Sequence, residues 1–157
     1  MSEYIVESRT LFECAPLTVT LEAWTDEESS PADAECYSPE DVALFTSGEW
    51  QYVMLRAVVT VDTGQPGHHE MIIGEDSLSG VEHGHMSDVE CDAFEMTGGW
   101  SEGNAHFSGS SAWSVVVDAV GQAESLMTAL QGQSDALSEI ESWVDNFSEA
   151  AKAAAHE

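Results

Sequence analysis

The sequence predicts an α+β fold, an antiparallel sheet with a short helix and a C-terminal αα-hairpin. It also predicts a single domain over residues 1–157, with 1–110 mainly strands and loops and 111–155 the helical hairpin. Three patterns carry that expectation. Between Trp50 and Asp62, Val53, Leu55, Ala57, Val59 and Val61 alternate with Tyr52, Met54, Arg56, Val58 and Thr60, the period of two that a strand requires. After Ser110-Ser111 the apolar residues recur three and four apart, the spacing of one helix face. Turn signals rich in Gly, Pro and Ser separate the apolar runs, and a hydrophobic content of 43% suffices for a real core at this length.

Along the chain, Glu3 to Glu13 alternates loosely around Ile5, Val6, Leu11 and Phe12. Leu17 to Trp24 sets Leu17, Val19, Leu21 and Ala23 on one side and Thr18, Thr20 and Glu22 on the other. These are two strands joined by a turn at Ala15-Pro16. Thr25 to Tyr37 mixes acids with Ser and Pro without periodicity and reads as a solvated loop. Ser38-Pro39-Glu40-Asp41 supplies an N-cap hydroxyl, a proline at the first helical position and acids in the first turn. The helix it starts runs to Ser47 and stops at Gly48. Trp50 to Asp62 is the central strand, Gly64-Gln65-Pro66-Gly67 a turn, and Glu70 to Ile73 a returning strand, together an antiparallel hairpin with a longer loop.

Residues 74–110 are glycine-rich and read mostly as loop, with short strands near Ser77 to Val81 and Ala105 to Ser108. Trp113, Val116, Val120, Ala123, Met127 and Leu130 then mark the seam of one helix, against a contrary β-branched run at Val115 to Val117. Gly132-Gln133-Ser134 offers a C-cap glycine and a fresh N-cap, and Leu137, Ile140, Val144, Phe147 and Ala151 mark the seam of a second helix. Two such seams can cover each other within one chain or across two, so the sequence also permits a homodimer.

Thirty Asp and Glu face only Arg9, Arg56 and Lys152, a formal net charge of -27. Residues 1–50 hold twelve carboxylates, 51–100 nine and 101–157 nine, so the acidity belongs to the folded surface and not to a tail. Self-repulsion on this scale is a cost that Lys and Arg normally dilute. It is explained either by imitation of a polyanion or by life in concentrated salt. Three basic residues cannot neutralise a phosphate backbone, so direct nucleic-acid binding is not expected. The N-terminus has no basic or apolar signal region and no stretch approaches the roughly 20 apolar residues of a membrane span, so a cytoplasmic protein without membrane contact is expected. Cys14, Cys36 and Cys91, odd in number and irregularly spaced, fit reduced thiols.

On the last helix, Glu141, Asp145 and Glu149 stand four apart on one face, and Asp135 with Glu139 adds a neighbouring pair. Like charges at that spacing lie roughly 5–6 Å apart and cost about 0.2–0.5 kcal/mol per pair. Such a row presents negative charge comparable to a nucleic-acid backbone. Together with Asp26, Glu27, Glu28, Asp33 and Glu35 of the acidic loop, these are the residues expected to meet a partner. His68, His69, His83, His85, His106 and Cys91 are zinc-type ligands, but no H-E-x-x-H or C-x-x-C spacing joins them, and neither a metal nor another cofactor is expected. G-x-S-x-G, Walker A and G-x-G-x-x-G patterns do not occur, and an enzyme is not expected. Arg56, on the polar side of the strongest strand, reads as an internal salt-bridge partner.

Ser38-Pro39-Glu40-Asp41-Val42, then Gly48-Glu49-Trp50-Gln51-Tyr52-Val53, then Asp76-Ser77-Leu78-Ser79-Gly80-Val81-Glu82 resemble small acidic proteins of bacteriophages and prophages over residues 38–92. Ser79 stands where that pattern has an aromatic. The resemblance implies a phage or mobile-element origin, hence the cytoplasm of a host cell, and brings no reaction and no binding residues with it. Charge and resemblance together lead to the expectation of a non-enzymatic inhibitor, of anti-CRISPR or anti-restriction type. It would mimic nucleic acid and block the DNA or RNA groove of a nuclease, restriction enzyme or CRISPR effector. The rival expectations are a halophile's cytoplasmic protein, acidic as an adaptation to salt, and a phage structural or assembly component that oligomerises through its heptad seams.

Overall fold

The computed structural model describes residues 3–31, 35–100 and 107–155. β1 (Ile5–Cys14), β2 (Leu17–Thr25), β3 (Trp50–Gln65), β4 (His68–His85) and β5 (Glu90–Cys91) form an antiparallel sheet in the order β1-β2-β3-β4-β5, each strand beside its neighbour in sequence. α1 (Pro39–Thr46) lies in the connection between β2 and β3. β6 (Gly98–Trp100) and β7 (Phe107–Gly109) pair separately, and α2 (Ser111–Ala155) follows. The fold is α+β, with an antiparallel sheet, a short helix and a helical C-terminal third. The chain divides into two compact units, residues 1–123 and 124–157, with the boundary inside α2. No helix among the described residues is long and apolar enough to cross a membrane.

Register explains the core of the first unit. Leu17 pairs with Val61, Val19 with Val59, Leu21 with Ala57 and Ala23 with Leu55, so the apolar sets of β2 and β3 share one face. That face is buried together with Ile73, Ala93, Phe94 and the α2 residues Ala112, Val115, Ala119 and Ala123. On the other face, at the start of β3, Trp50 and Tyr52 pack with Tyr37, Leu44, Phe45 and Met86. α1 is fixed at both ends. Asp41 N donates to the Ser38 hydroxyl at 3.2 Å, and beyond the C-cap Ser47 the amides of Gly48 and Glu49 donate to the carbonyls of Phe45 and Leu44, a Schellman closure that uses Gly48 at φ +84°.

The helix meets the sheet at Gly74. A Cβ placed there would lie 2.1 Å from the Ala119 carbonyl oxygen and 3.0 Å from the Ala123 nitrogen. Only a glycine opposite an alanine-rich helix face allows so close an approach. This requirement also rotates the expected seam. Buried at the contact are Ala112, Val115, Ala119 and Ala123, whereas Val116 is half-buried and Val120 exposed. Alanines take the sheet-facing positions opposite Gly74 because larger side chains there would hold the helix off, while Val115 fills the core beside them.

Two more expectations are corrected. Residues 74–85 are not loop, because β4 runs on to His85 and contains Ser77 to Val81. The glycines that suggested a loop serve the strand: Gly74 admits the helix, and Gly80, at φ +73°, sits where the β3 register shifts between Val53↔Val81 and Leu55↔Leu78. β7 begins at Phe107, and residues 105 and 106 of the expected strand lie outside the described residues. In the C-terminal third the two expected helical segments are present but joined, so that the turn expected at Gly132-Gln133-Ser134 is helical. One interior glycine costs a helix about 1 kcal/mol relative to alanine, less than the end-group hydrogen bonds a break would forfeit.

Gly74→Ala and Gly132→Ala are expected to act in opposite directions. The first forces a methyl into backbone and should destabilise the first unit by about 1–3 kcal/mol or more. The second meets open space and should raise helicity, with a gain of about 1 kcal/mol. Chemical denaturation followed by far-UV circular dichroism checks both, and equal effects of the two substitutions would contradict the packing at Gly74.

Candidate partner-binding surface

The expected contact residues differ in what their carboxylates already do. Asp26 Oδ2 accepts from Gly80 N at 2.7 Å and from Ser29 Oγ at 2.9 Å, and Oδ1 accepts from Glu28 N at 3.2 Å. Partial burial alone would raise its pKa, but these donors together outweigh it and hold the carboxyl below its ordinary value. Asp26 therefore braces its loop against β4. Glu27, Glu28 and Glu35 are exposed, and Asp33 lies outside the described residues. Glu3, Asp26, Glu27 and Glu28 line a cleft of about 370 Å³ with Thr25, Met54 and Ser79, where the carboxylates of Glu3, Glu27 and Glu28 can receive a lysine or arginine from a partner.

Glu139, Glu141, Asp145 and Glu149 are all exposed on α2, and Asp135 belongs to the same helix. They stand on the second compact unit, whereas the acidic loop stands on the first. The spacing that suggested a row of charge is therefore present along the helix.

The three cations are all engaged within the chain. Arg9 lies 3.0 Å from Glu7 and 3.7 Å from Asp92, with its guanidinium 4.3 Å over the Phe94 ring. Arg56 bridges Glu22, directly opposite on β2, at 3.4 Å and Glu75 on β4, the internal salt bridge read from its place on the strand. Lys152 lies 3.5 Å from Glu149. Among the described residues no polar or charged side chain is buried, so the remaining carboxylates face solvent to some degree.

Two clusters had no signal in the sequence beyond single residues. Asp41 was legible only as a first-turn acid, yet its Oδ1 accepts from Ser87 N at 3.1 Å and Ser87 Oγ at 2.6 Å, while its carbonyl accepts from Trp50 Nε1 at 2.8 Å. The Ser87 hydroxyl and amide, with Ser38, hold the Asp41 carboxyl below its ordinary value. Beside it, Tyr52 Oη donates to Tyr37 Oη at 2.9 Å, and Tyr37 donates to Glu82. Burial first, and then those hydrogen bonds, push the Tyr37 hydroxyl well up. Burial and the nearby Glu82 likewise push the Cys91 thiol up, so neither group is a ready nucleophile at neutral pH.

His83 and His85 have separate partners. His83 Nδ1 accepts from Ala93 N at 3.1 Å and its ring meets Phe94 edge-on, whereas His85 is exposed beside Glu90. His106 lies outside the described residues. Among the described residues no group of three or more His, Cys, Asp or Glu side chains is placed to hold a metal ion. No protein-family model matches the chain, and neither a curated protein nor a solved structure matches it.

Asp26 and Asp41 have depressed pKa values in the folded state. The stability they contribute is complete above the unfolded carboxylate value, near ~3.9, and is lost as pH falls through their lower folded values. Asp26→Ala is expected to cost about 1 kcal/mol at neutral pH after solvent screening, roughly 2–4 °C in Tm, with the deficit closing in strong acid. Thermal melts from pH 7 down to about pH 2 read this out. A deficit unchanged with pH would rule out the carboxylate hydrogen bonds as its source.

Proposed function

We propose that this protein is a non-enzymatic polyanion mimic that occupies the nucleic-acid groove of a basic host protein of nuclease, restriction-enzyme or CRISPR-effector type. The observation that carries the reading is the engagement of all three cations inside the chain, which leaves the outward carboxylates without positive neighbours of their own. A groove built for DNA gains affinity by neutralising anions and releasing counterions, and a surface with carboxylates already in position exploits the same field and the same steering. Glu139, Glu141 and Asp145 on the helix and Glu27 and Glu28 at the cleft are the proposed contacts, with Glu149 at the end of the row shared with Lys152.

A second reading, acidity as adaptation to concentrated salt, is favoured by the even spread of carboxylates over both units. Screening separates the two, because the Debye length is about 10 Å at 0.1 M and only a few ångströms above 1 M. A cooperative thermal transition in about 0.1 M KCl is expected for the mimic. Folding that needs about 2 M KCl would establish salt adaptation instead.

Binding to a panel of immobilised nucleases, restriction enzymes and CRISPR effectors is expected to be displaced by duplex DNA and to weaken steeply between about 50 and 200 mM salt. The triple reversal Glu141→Lys, Asp145→Lys and Glu149→Lys should weaken capture at least tenfold while the melting temperature stays within about 2 °C. Undiminished capture by that variant would exclude the helix row as the contact face.

A further inference from the structure

The second compact unit contains one element, the continuation of α2 from Glu124. In proteins most helical stability comes from packing an apolar face, not from the intrinsic propensity of the chain. Here the intrinsic balance is worse than average. Gly132 sits in the interior, and carboxylates recur at i, i+4 through Glu141, Asp145 and Glu149.

The apolar face is nevertheless uncovered. Leu126, Leu130, Leu137, Ile140, Val144 and Phe147 fall three and four apart once Gln133 is counted into the series, and each is between 38% and 65% exposed. Trp143, 66% exposed, stacks on Phe147 with ring centroids 5.9 Å apart and widens the stripe. Left in water, the face forfeits the burial that would hold the helix together.

Charge and area identify the occupant. In a helix pair the positions flanking the seam set partner choice. On one flank stand Ala129, Ala136, Trp143 and Ala150, and on the other Met127, Ser134, Glu141 and Ser148. Only Glu141 is charged. A seam meant for a basic helix would carry acids on both flanks, whereas Glu124, Glu139, Asp145 and Glu149 occupy the outer positions, away from the seam. Identical copies can therefore meet along it with little like-charge contact. With Met127 and Trp143, eight large side chains are between 38% and 66% exposed, an apolar area on the order of the ~800 Å² per partner of a standard-size interface.

From this we infer that residues 124–155 pair with the same segment of a second copy, helix against helix along the seam Leu126, Leu130, Gln133, Leu137, Ile140, Val144 and Phe147. Gln133, the one polar residue in it, fixes the register, as a lone polar seam residue does in coiled coils. Each copy carries a formal charge of -27, so its partner's field opposes the encounter at low salt and screening promotes it. That dependence is opposite in sign to the capture of a polyanion mimic by a basic groove, and the inference stands without that reading.

Sedimentation of the full chain across a micromolar concentration series, in about 0.1 M and about 1 M KCl, tests it. The wild type is expected to sediment as an oligomer, more completely at the higher salt. Ile140→Glu with Phe147→Glu should weaken association at least tenfold while the sheet keeps its cooperative melt. Ser142→Ala, on the outer face, should leave association intact and controls for general loss of structure. A wild type that stays monomeric at every concentration and both salts overturns the inference, as does association that survives the double substitution. A monomer in which Trp143, isolated by difference against Trp143→Phe, emits as a buried indole would also overturn it, by showing the seam covered by its own chain.

Discussion

A carboxylate leaves water only when a cation or several hydrogen-bond donors replace it, and this chain has three cations for thirty carboxylates. The architecture follows from that shortage. Among the described residues the core contains no polar or charged side chain. The two arginines stand where each serves two carboxylates at once, Arg56 between Glu22 and Glu75 across three strands and Arg9 between Glu7 and Asp92. Elsewhere amides and hydroxyls do what lysine does in an ordinary protein. Asp26 is held by Gly80, Ser29 and Glu28, and Asp41 by Ser87 and Ser38, donors that add no charge and yet fix a loop and a helix to the sheet.

The sheet was legible where one pattern spoke alone. The period of two in β2 and β3, the turn at Ala15-Pro16 and the Ser38-Pro39 start with its Gly48 stop are each local and unopposed, and each appears as read. Reading failed where a residue type has two uses. Glycine marks loops and also marks places where backbones touch, and in β4 the second use prevailed at Gly74 and Gly80. At Gly132 it was mistaken for a cap, because a sequence shows the cost of a helical glycine but not the cost of the helix ends that would replace it. The seam of the first helical turns was misplaced for a related reason. Large apolar residues dominate a periodicity count, yet at a close contact the alanines are the ones that fit.

The candidate surface was legible only as composition. That the carboxylates would be exposed followed from their number, and the row on α2 from its spacing. The spending of Asp26 and Asp41 on internal bracing depends on donors 54 and 46 residues away, Gly80 and Ser87, and no local pattern announces them. The Tyr37, Glu82 and Cys91 group is likewise assembled by register, since β4 and β5 bring Glu82 and Cys91 beside a tyrosine from the loop before α1. Local chemistry thus reports what kind of surface the chain presents, and long-range pairing decides which of its charges remain free.

The contact between α2 and β4 at Gly74 has a consequence for motion. Glycine and alanine have no side-chain rotamers to lose on docking, so the joint forms without the entropy that larger residues forfeit. At Gly74 itself, where only Ala119 and Ala123 face the strand, there is little side chain to re-seat, so a displacement of the helix opens a gap there. The first turns of α2 are therefore expected to open together with the strand beneath them as one cooperative unit.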